Sequence, residues 1–134
     1  MAVFAMSKWN VGMMALQPHG AVAVVDDDPA VLDSLKFLLE VAGHTVGAYA
    51  SADEFLEDQA VQPACLILDQ HMPLVSGLDL AARLRTEGVG IPILLISGAL
   101  SPGIVARAAQ LGIERVLPKP PAEDDLLGFV AAYA

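Results

Sequence analysis

The sequence predicts an α/β fold built on an open parallel sheet, and two observations carry that expectation. From Ala21 onward, short apolar runs alternate with amphipathic stretches of about ten residues or more, the pattern of repeated strand–helix units. The runs also stop at polar residues. Val22-Ala23-Val24-Val25 ends at Asp26-Asp27-Asp28, Cys65-Leu66-Ile67-Leu68 at Asp69, and Ile93-Leu94-Leu95-Ile96 at Ser97. In a parallel sheet the carboxyl ends of the strands share one edge, and ligands bind in the crevice outside it. Acids and a hydroxyl scattered along the chain are therefore expected to meet in one pocket.

Each element has a local reason. After the first strand, Asp28 can cap a helix from about Pro29 to Ala42, with Pro29 at its first position and Gly43 closing it. Val31, Leu35, Leu38 and Leu39 make its buried stripe. His44 to Ala48 reads as a short second strand at the sheet edge. Ser51-Ala52-Asp53-Glu54 reads as a capping box opening a second helix to about Gln59. The third strand ends at Asp69, and Leu78 to Arg85 forms a helix followed by a loop through Gly88 and Gly90. The fourth strand ends at Ser97, and a helix from about Pro102 to Leu111 follows. A fifth strand, Ile113 to Leu117, leads through Pro118 to Lys119-Pro120, and Glu123 to Tyr133 makes the last helix. Residues 1–19 show no clear period and are expected to form an extension outside the fold, leaving 20–134 as one domain.

Composition narrows the function. The chain has 134 residues, 55% of them hydrophobic, which suits one domain with a single core. A formal charge of -9 and scattered Lys and Arg argue against direct binding of nucleic acid, which needs clustered cations. No apolar stretch approaches the roughly 20 residues that cross a bilayer. Cys65, the sole cysteine, sits inside an apolar run and reads as a buried thiol; a chain without an internal disulfide fits a reducing cytoplasm.

The strand-end residues suit phosphoryl chemistry. Asp28, directly before Pro29, is accounted for by capping. Asp26 and Asp27 lie in the loop itself, and two carboxylates pushed together raise each other's pKa unless a cation neutralises them. Mg²⁺ suits such a site, because it takes a few hard oxygen ligands and keeps several waters. Beside it, Asp69 becomes a candidate nucleophile that could form an aspartyl phosphate. The His71 backbone carbonyl is a better candidate for a metal ligand than its ring is for a base. Ser97 offers a hydroxyl and Lys119 a point charge to phosphoryl oxygens, the electrostatic clamp that phosphoryl transfer requires.

With these residues in place, the chain from about Ala21 onward resembles the receiver domain of two-component response regulators. The resemblance rests on Val24-Val25-Asp26-Asp27-Asp28-Pro29, Leu68-Asp69-Gln70-His71-Met72-Pro73 with Ser76-Gly77, Ile96-Ser97-Gly98, and Lys119-Pro120. It implies a flavodoxin-like, doubly wound, five-stranded parallel sheet in order 2-1-3-4-5, with helices on both faces. It implies Asp69 as phosphoacceptor and Mg²⁺ bound by Asp27, Asp69 and the His71 carbonyl, with Asp26 assisting through water. Ser97 and Lys119 would grip the phosphoryl group, and the Lys119-Pro120 bond would be cis. The Ser97-Gly98 pair and the stretch Pro73 to Gly77 lean toward receivers of the nitrogen-fixation regulator type. Two departures stand out: Ser97 replaces the commoner threonine, and Val116 stands where receivers usually carry Phe or Tyr.

The function so implied is a signalling switch rather than a metabolic enzyme. A sensor histidine kinase, or a histidine phosphotransfer protein, would donate to Asp69, and the domain would catalyse its own phosphorylation and dephosphorylation. The output would be protein contacts through the fourth helix, fifth strand and fifth helix. With one helix's worth of residues after Lys119, a stand-alone or truncated receiver is expected. Two alternatives differ in class. A small phosphatase of the haloacid dehalogenase type would need a second Asp two residues after the nucleophile, where His71 stands. A degenerate receiver that binds its partner constitutively would lack one of the acids, the lysine or the hydroxyl.

Overall fold

The computed structural model describes residues 20–58 and 62–134. Five parallel strands, β1 (Ala21–Val25), β2 (Val46–Tyr49), β3 (Pro63–Asp69), β4 (Ile93–Ser97) and β5 (Arg115–Pro118), form one sheet in the order β2-β1-β3-β4-β5. Helices α1 (Pro29–Val41), α2 (Ala52–Glu57), α3 (Gly77–Thr86), α4 (Pro102–Gln110) and α5 (Glu123–Tyr133) alternate with them. The expected topology is therefore the observed one.

Because successive strand residues point to opposite faces, the sheet divides the core in two. Ala23, Val25, Leu66, Leu68, Ile93 and Leu95 face α2, α3 and α4, whose Phe55, Leu80, Leu84 and Ala108 close that side. Val22, Val24, Cys65, Ile67, Leu94 and Ile96 face α1 and α5, met by Leu35, Leu39, Leu126, Phe129 and Val130. Both faces are covered, which is why these strands read as unbroken apolar runs rather than alternating ones. Burial pushes the Cys65 thiol up to about 12, so it stays protonated and inert. None of the described helices is long and apolar enough to cross a membrane.

Register aligns the strand ends. Val25 pairs with Leu68, Asp69 with Ile96, and Ser97 with Pro118, so the residues that follow β1 and the last residues of β3 and β4 emerge at one edge.

Several boundaries differ from the sequence reading for identifiable reasons. His44, expected to open β2, is taken up by the end of α1: Gly43 adopts φ +99°, and the Gly43 and His44 amides donate to the Glu40 and Leu39 carbonyls. β2 starts two residues later. Ile113 is claimed in the same way, its amide donating to the Ala108 carbonyl of α4, and β5 is shifted to Arg115–Pro118. Helix α3 starts at Gly77 because Ser76 and Asp79 form a reciprocal capping box that the sequence reading missed. At Ser51 the expected box is only half made: Ser51 Oγ accepts from the Glu54 amide, but the Glu54 carboxylate accepts from Ala50 instead. Helix α2 ends at Glu57, with Asp58 already extended. Its expected end, Gln59, and the expected extension 1–19 lie outside the described residues.

Candidate phosphoryl-transfer site

The loop after β1 is shaped by its own acids. Asp28 is extended, and its carboxylate accepts from the Ala30 and Val31 amides, capping α1 as expected. Asp26 Oδ1 accepts from the Asp28 amide at 2.9 Å, which turns the Asp26 side chain back over the end of β1 and leaves Asp27 exposed. Asp26 is only 2% exposed. Burial is the main cause that raises its pKa, and the neighbouring charges of Asp69 and Asp27 add to it; the Asp28 N–H and Lys119 pull the other way.

Asp69, the last residue of β3, is also 2% exposed, and its oxygens have no partner among the described residues other than Lys119. Lys119 Nζ stands 2.9 Å from Asp69 Oδ1, an ion pair, and 3.9 Å from Asp26 Oδ2. Burial alone would depress the Lys119 pKa, but Asp69, Asp26 and Asp27 together outweigh it, and the pKa is raised. The lysine stays charged. Its amide donates to the Ser97 carbonyl, and the following bond to Pro120 is cis. The bond to Ser97 holds Lys119 beside the end of β4, from where Nζ reaches the carboxylates.

Ser97, the last residue of β4, is fully buried. Its Oγ donates to the Ala99 carbonyl (3.0 Å) and lies 3.0 Å from His71 Nε2. The sequence reading gave His71 a backbone role; the structure shows that its ring also reaches the site, through the serine.

Asp26, Asp27 and Asp69 each present a carboxylate oxygen within 4.8 Å of the other two. Three carboxylates face one ammonium there, and two of the three are buried. Orphaned buried carboxylate oxygens need a partner, and a hard divalent cation such as Mg²⁺ fits this all-oxygen donor set. The residues present therefore fit a metal ion.

Two supports had little signal in the sequence. A Cβ on Gly77 would lie 2.5 Å from the Asp69 carbonyl oxygen and 2.8 Å from Leu95 Cδ1, so only glycine lets the start of α3 seat against the end of β3. Gln70 Oε1 accepts from the Leu78 amide at 2.8 Å, tying the residue after Asp69 to the same helix end. In the sequence, the Ser76-Gly77 pair is the pointer to this contact. Beside Lys119 an apolar groove of about 610 Å³ opens, lined by Ala30, Val31, Leu35, Leu38, Lys119 and Pro120 among others.

Comparisons with known proteins agree with this geometry. Residues 22–131 match the family described as the response regulator receiver domain. The response regulator protein TmoT of Ectopseudomonas mendocina is 40% identical over 84% of the chain, and the match covers 51% of TmoT. The transcriptional regulatory protein FixJ of Bradyrhizobium diazoefficiens is 33% identical over 83% of the chain and 55% of its own length. The chain thus spans about half the length of these curated relatives. Among solved structures, the response regulator StyR superposes with a TM-score of 0.77 at 37% identity, covering 84% of this chain and 58% of that one.

Proposed function

The chain belongs to the response regulator receiver domain family, and from that premise we propose that residues 20–134 are a phosphorylation-dependent switch with Asp69 as phosphoacceptor. The observation that carries the reading is the buried Asp69 carboxylate, whose Oδ1 lies 2.9 Å from Lys119 Nζ and whose oxygens accept from no other group among the described residues. A buried carboxylate held by a single ion pair is a poor structural element but an available nucleophile.

In this reading an Asp69 oxygen attacks phosphorus as the P–N bond of a partner's phosphohistidine breaks. The phosphoryl group becomes a mixed anhydride on Asp69, and the leaving imidazole takes up a proton. Lys119 follows the developing charge on one phosphoryl oxygen, and Ser97, once it turns, donates to another. Asp27, Asp69 and the His71 backbone carbonyl would hold Mg²⁺, with Asp26 behind them. When bound, the ion supplies the positive charge that the carboxylates and the incoming phosphoryl oxygens both need. Burial of Asp69 keeps water from competing for the same geometry.

The donor is a sensor histidine kinase or a histidine phosphotransfer protein, and the apolar groove beside Lys119 gives it a docking surface next to the acceptor. The downstream partner reads the face made by α4, β5 and α5. The chain acts inside the cell, through protein contacts rather than by turning over a metabolite. All the clamp residues are present, which favours a working switch over a degenerate one.

Intact mass after incubation with acetyl phosphate tests this reading. The expected result is a Mg²⁺-dependent, base-labile gain of one phosphoryl group that is absent from Asp69→Asn. A stoichiometric phosphoprotein from Asp69→Asn would overturn the site assignment.

A further inference from the structure

Ser97 Oγ has three polar neighbours: it donates to the Ala99 carbonyl at 3.0 Å, accepts from the Ala99 amide at 3.3 Å, and lies 3.0 Å from His71 Nε2. A hydroxyl has one proton and two lone pairs. The one arrangement that satisfies all three contacts at once gives the Ser97 proton to the Ala99 carbonyl and has His71 Nε2 protonated and donating. The hydroxyl is then saturated. It then has nothing left to give to a group on Asp69, whose oxygens have Lys119 as their one partner among the described residues.

We propose that His71 is a positioning residue, a latch that holds the Ser97 hydroxyl turned onto Ala99 in the resting protein. The proposal rests on the reading of Asp69 as phosphoacceptor. For Ser97 to donate to a phosphoryl oxygen, its bond to the Ala99 carbonyl must break and the His71 N–H must lose its acceptor. The two arrangements exclude each other, which makes the residue pair a two-state element biased by the charge on Asp69. Ala99 lies two residues before Ser101, whose Oγ caps α4 at the Ile104 amide. Release of Ala99 is therefore felt at the start of α4, and release of the imidazole in the loop before α3. This route to the surface does not pass through Val116, which is half-buried on β5 against the α2–α4 side of the core. The change at position 116 leaves it intact.

The test uses beryllofluoride with Mg²⁺ as a stand-in for the phosphoryl group, read by the imidazole ¹⁵N signals of His71 and by backbone amide shifts. In the free protein Nε2 is expected to be the protonated nitrogen, and adding the probe should shift the His71 ring signals. In Ser97→Ala, which should bind the probe more weakly, the ring should already sit at a different position and should not respond even at probe concentrations that saturate the Asp69-dependent amide shifts. His71→Ala should bind the probe about 2–10-fold more tightly, the equivalent of one competing hydrogen bond. His71→Gln, which can still present an N–H, should return toward wild type. Binding of the probe with a silent His71 ring, or with unchanged affinity in His71→Ala, would overturn the latch and leave the Asp69 reading standing. Absence of any Asp69-dependent binding would sink that reading and the latch with it.

Discussion

At the amino-terminal edge of the sheet, Arg85 donates to four carbonyls, those of Leu111, Val89, Ile91 and Gly112, at 2.7, 2.9, 2.8 and 3.3 Å. Glu114, 4.0 Å away, accepts from the Ile93 amide. At the carboxyl-terminal edge of the same strands, Asp69 is buried with two further acids beside it and Lys119 as the one cation in contact among the described residues. The first edge uses charge to close the α3–β4 and α4–β5 loops and leaves almost nothing unpaired. The second holds like charges together and leaves them under-neutralised. The contrast separates two uses of charge: the saturated, half-buried Arg85 fixes structure, whereas the buried, under-neutralised acids hold open a site at a cost in stability.

Breaking the saturated edge should have the largest effect. Arg85→Ala is expected to destabilise the fold by about 2–3 kcal/mol in urea unfolding, because it removes a charged donor and orphans several carbonyls. Arg85→Lys should recover only part of that loss, since an ammonium cannot reproduce the guanidinium fork. At the other edge, Asp27→Asn should lower Mg²⁺ affinity by about tenfold or more in calorimetric titration while leaving stability without metal nearly unchanged, as Asp27 is exposed. Ser76→Ala should cost about 1 kcal/mol, the usual worth of an N-cap, by loosening the start of α3 where Gly77 meets Asp69.

The smallest effect sharpens the electrostatic half of the comparison. Burial raises the Asp26 pKa, so between its ordinary value of 3.8 and its folded value the native state binds more protons than the unfolded chain. This group's contribution to stability therefore falls as pH rises through that window. Melting curves in EDTA from about pH 4 to 7 should show a shallower decline for Asp26→Asn than for wild type. An unchanged slope would remove Asp26 from the strained set.

The topology was legible because both faces of the sheet are buried, so strands such as Cys65 to Leu68 read as continuous apolar runs and helices such as α1 as caps and stripes. Five polar residues at strand ends could be placed together on that basis alone. What escaped the sequence reading depends on contacts between distant loops. The His71 ring meets Ser97 across 26 positions, Arg85 reaches the Leu111 carbonyl over the same separation, and Gly77 is constrained by a carbonyl eight residues earlier. Local pattern carries no trace of such meetings. The boundary shifts at His44 and Ile113 have another cause: helix C-terminal closures compete with the following strand for the same amides.

The most direct test of the contrast compares thermal melting of wild type and Asp69→Asn, first in EDTA and then with Mg²⁺. Asp69→Asn is expected to melt higher than wild type in EDTA, by about 4–8 °C for roughly 1 kcal/mol in a domain of this size. Mg²⁺ is expected to stabilise wild type, by mass action on the native state, much more than the variant. If Asp69→Asn melts lower in EDTA, or if Mg²⁺ raises both proteins equally, the unsatisfied edge is not the strained, cation-seeking site described.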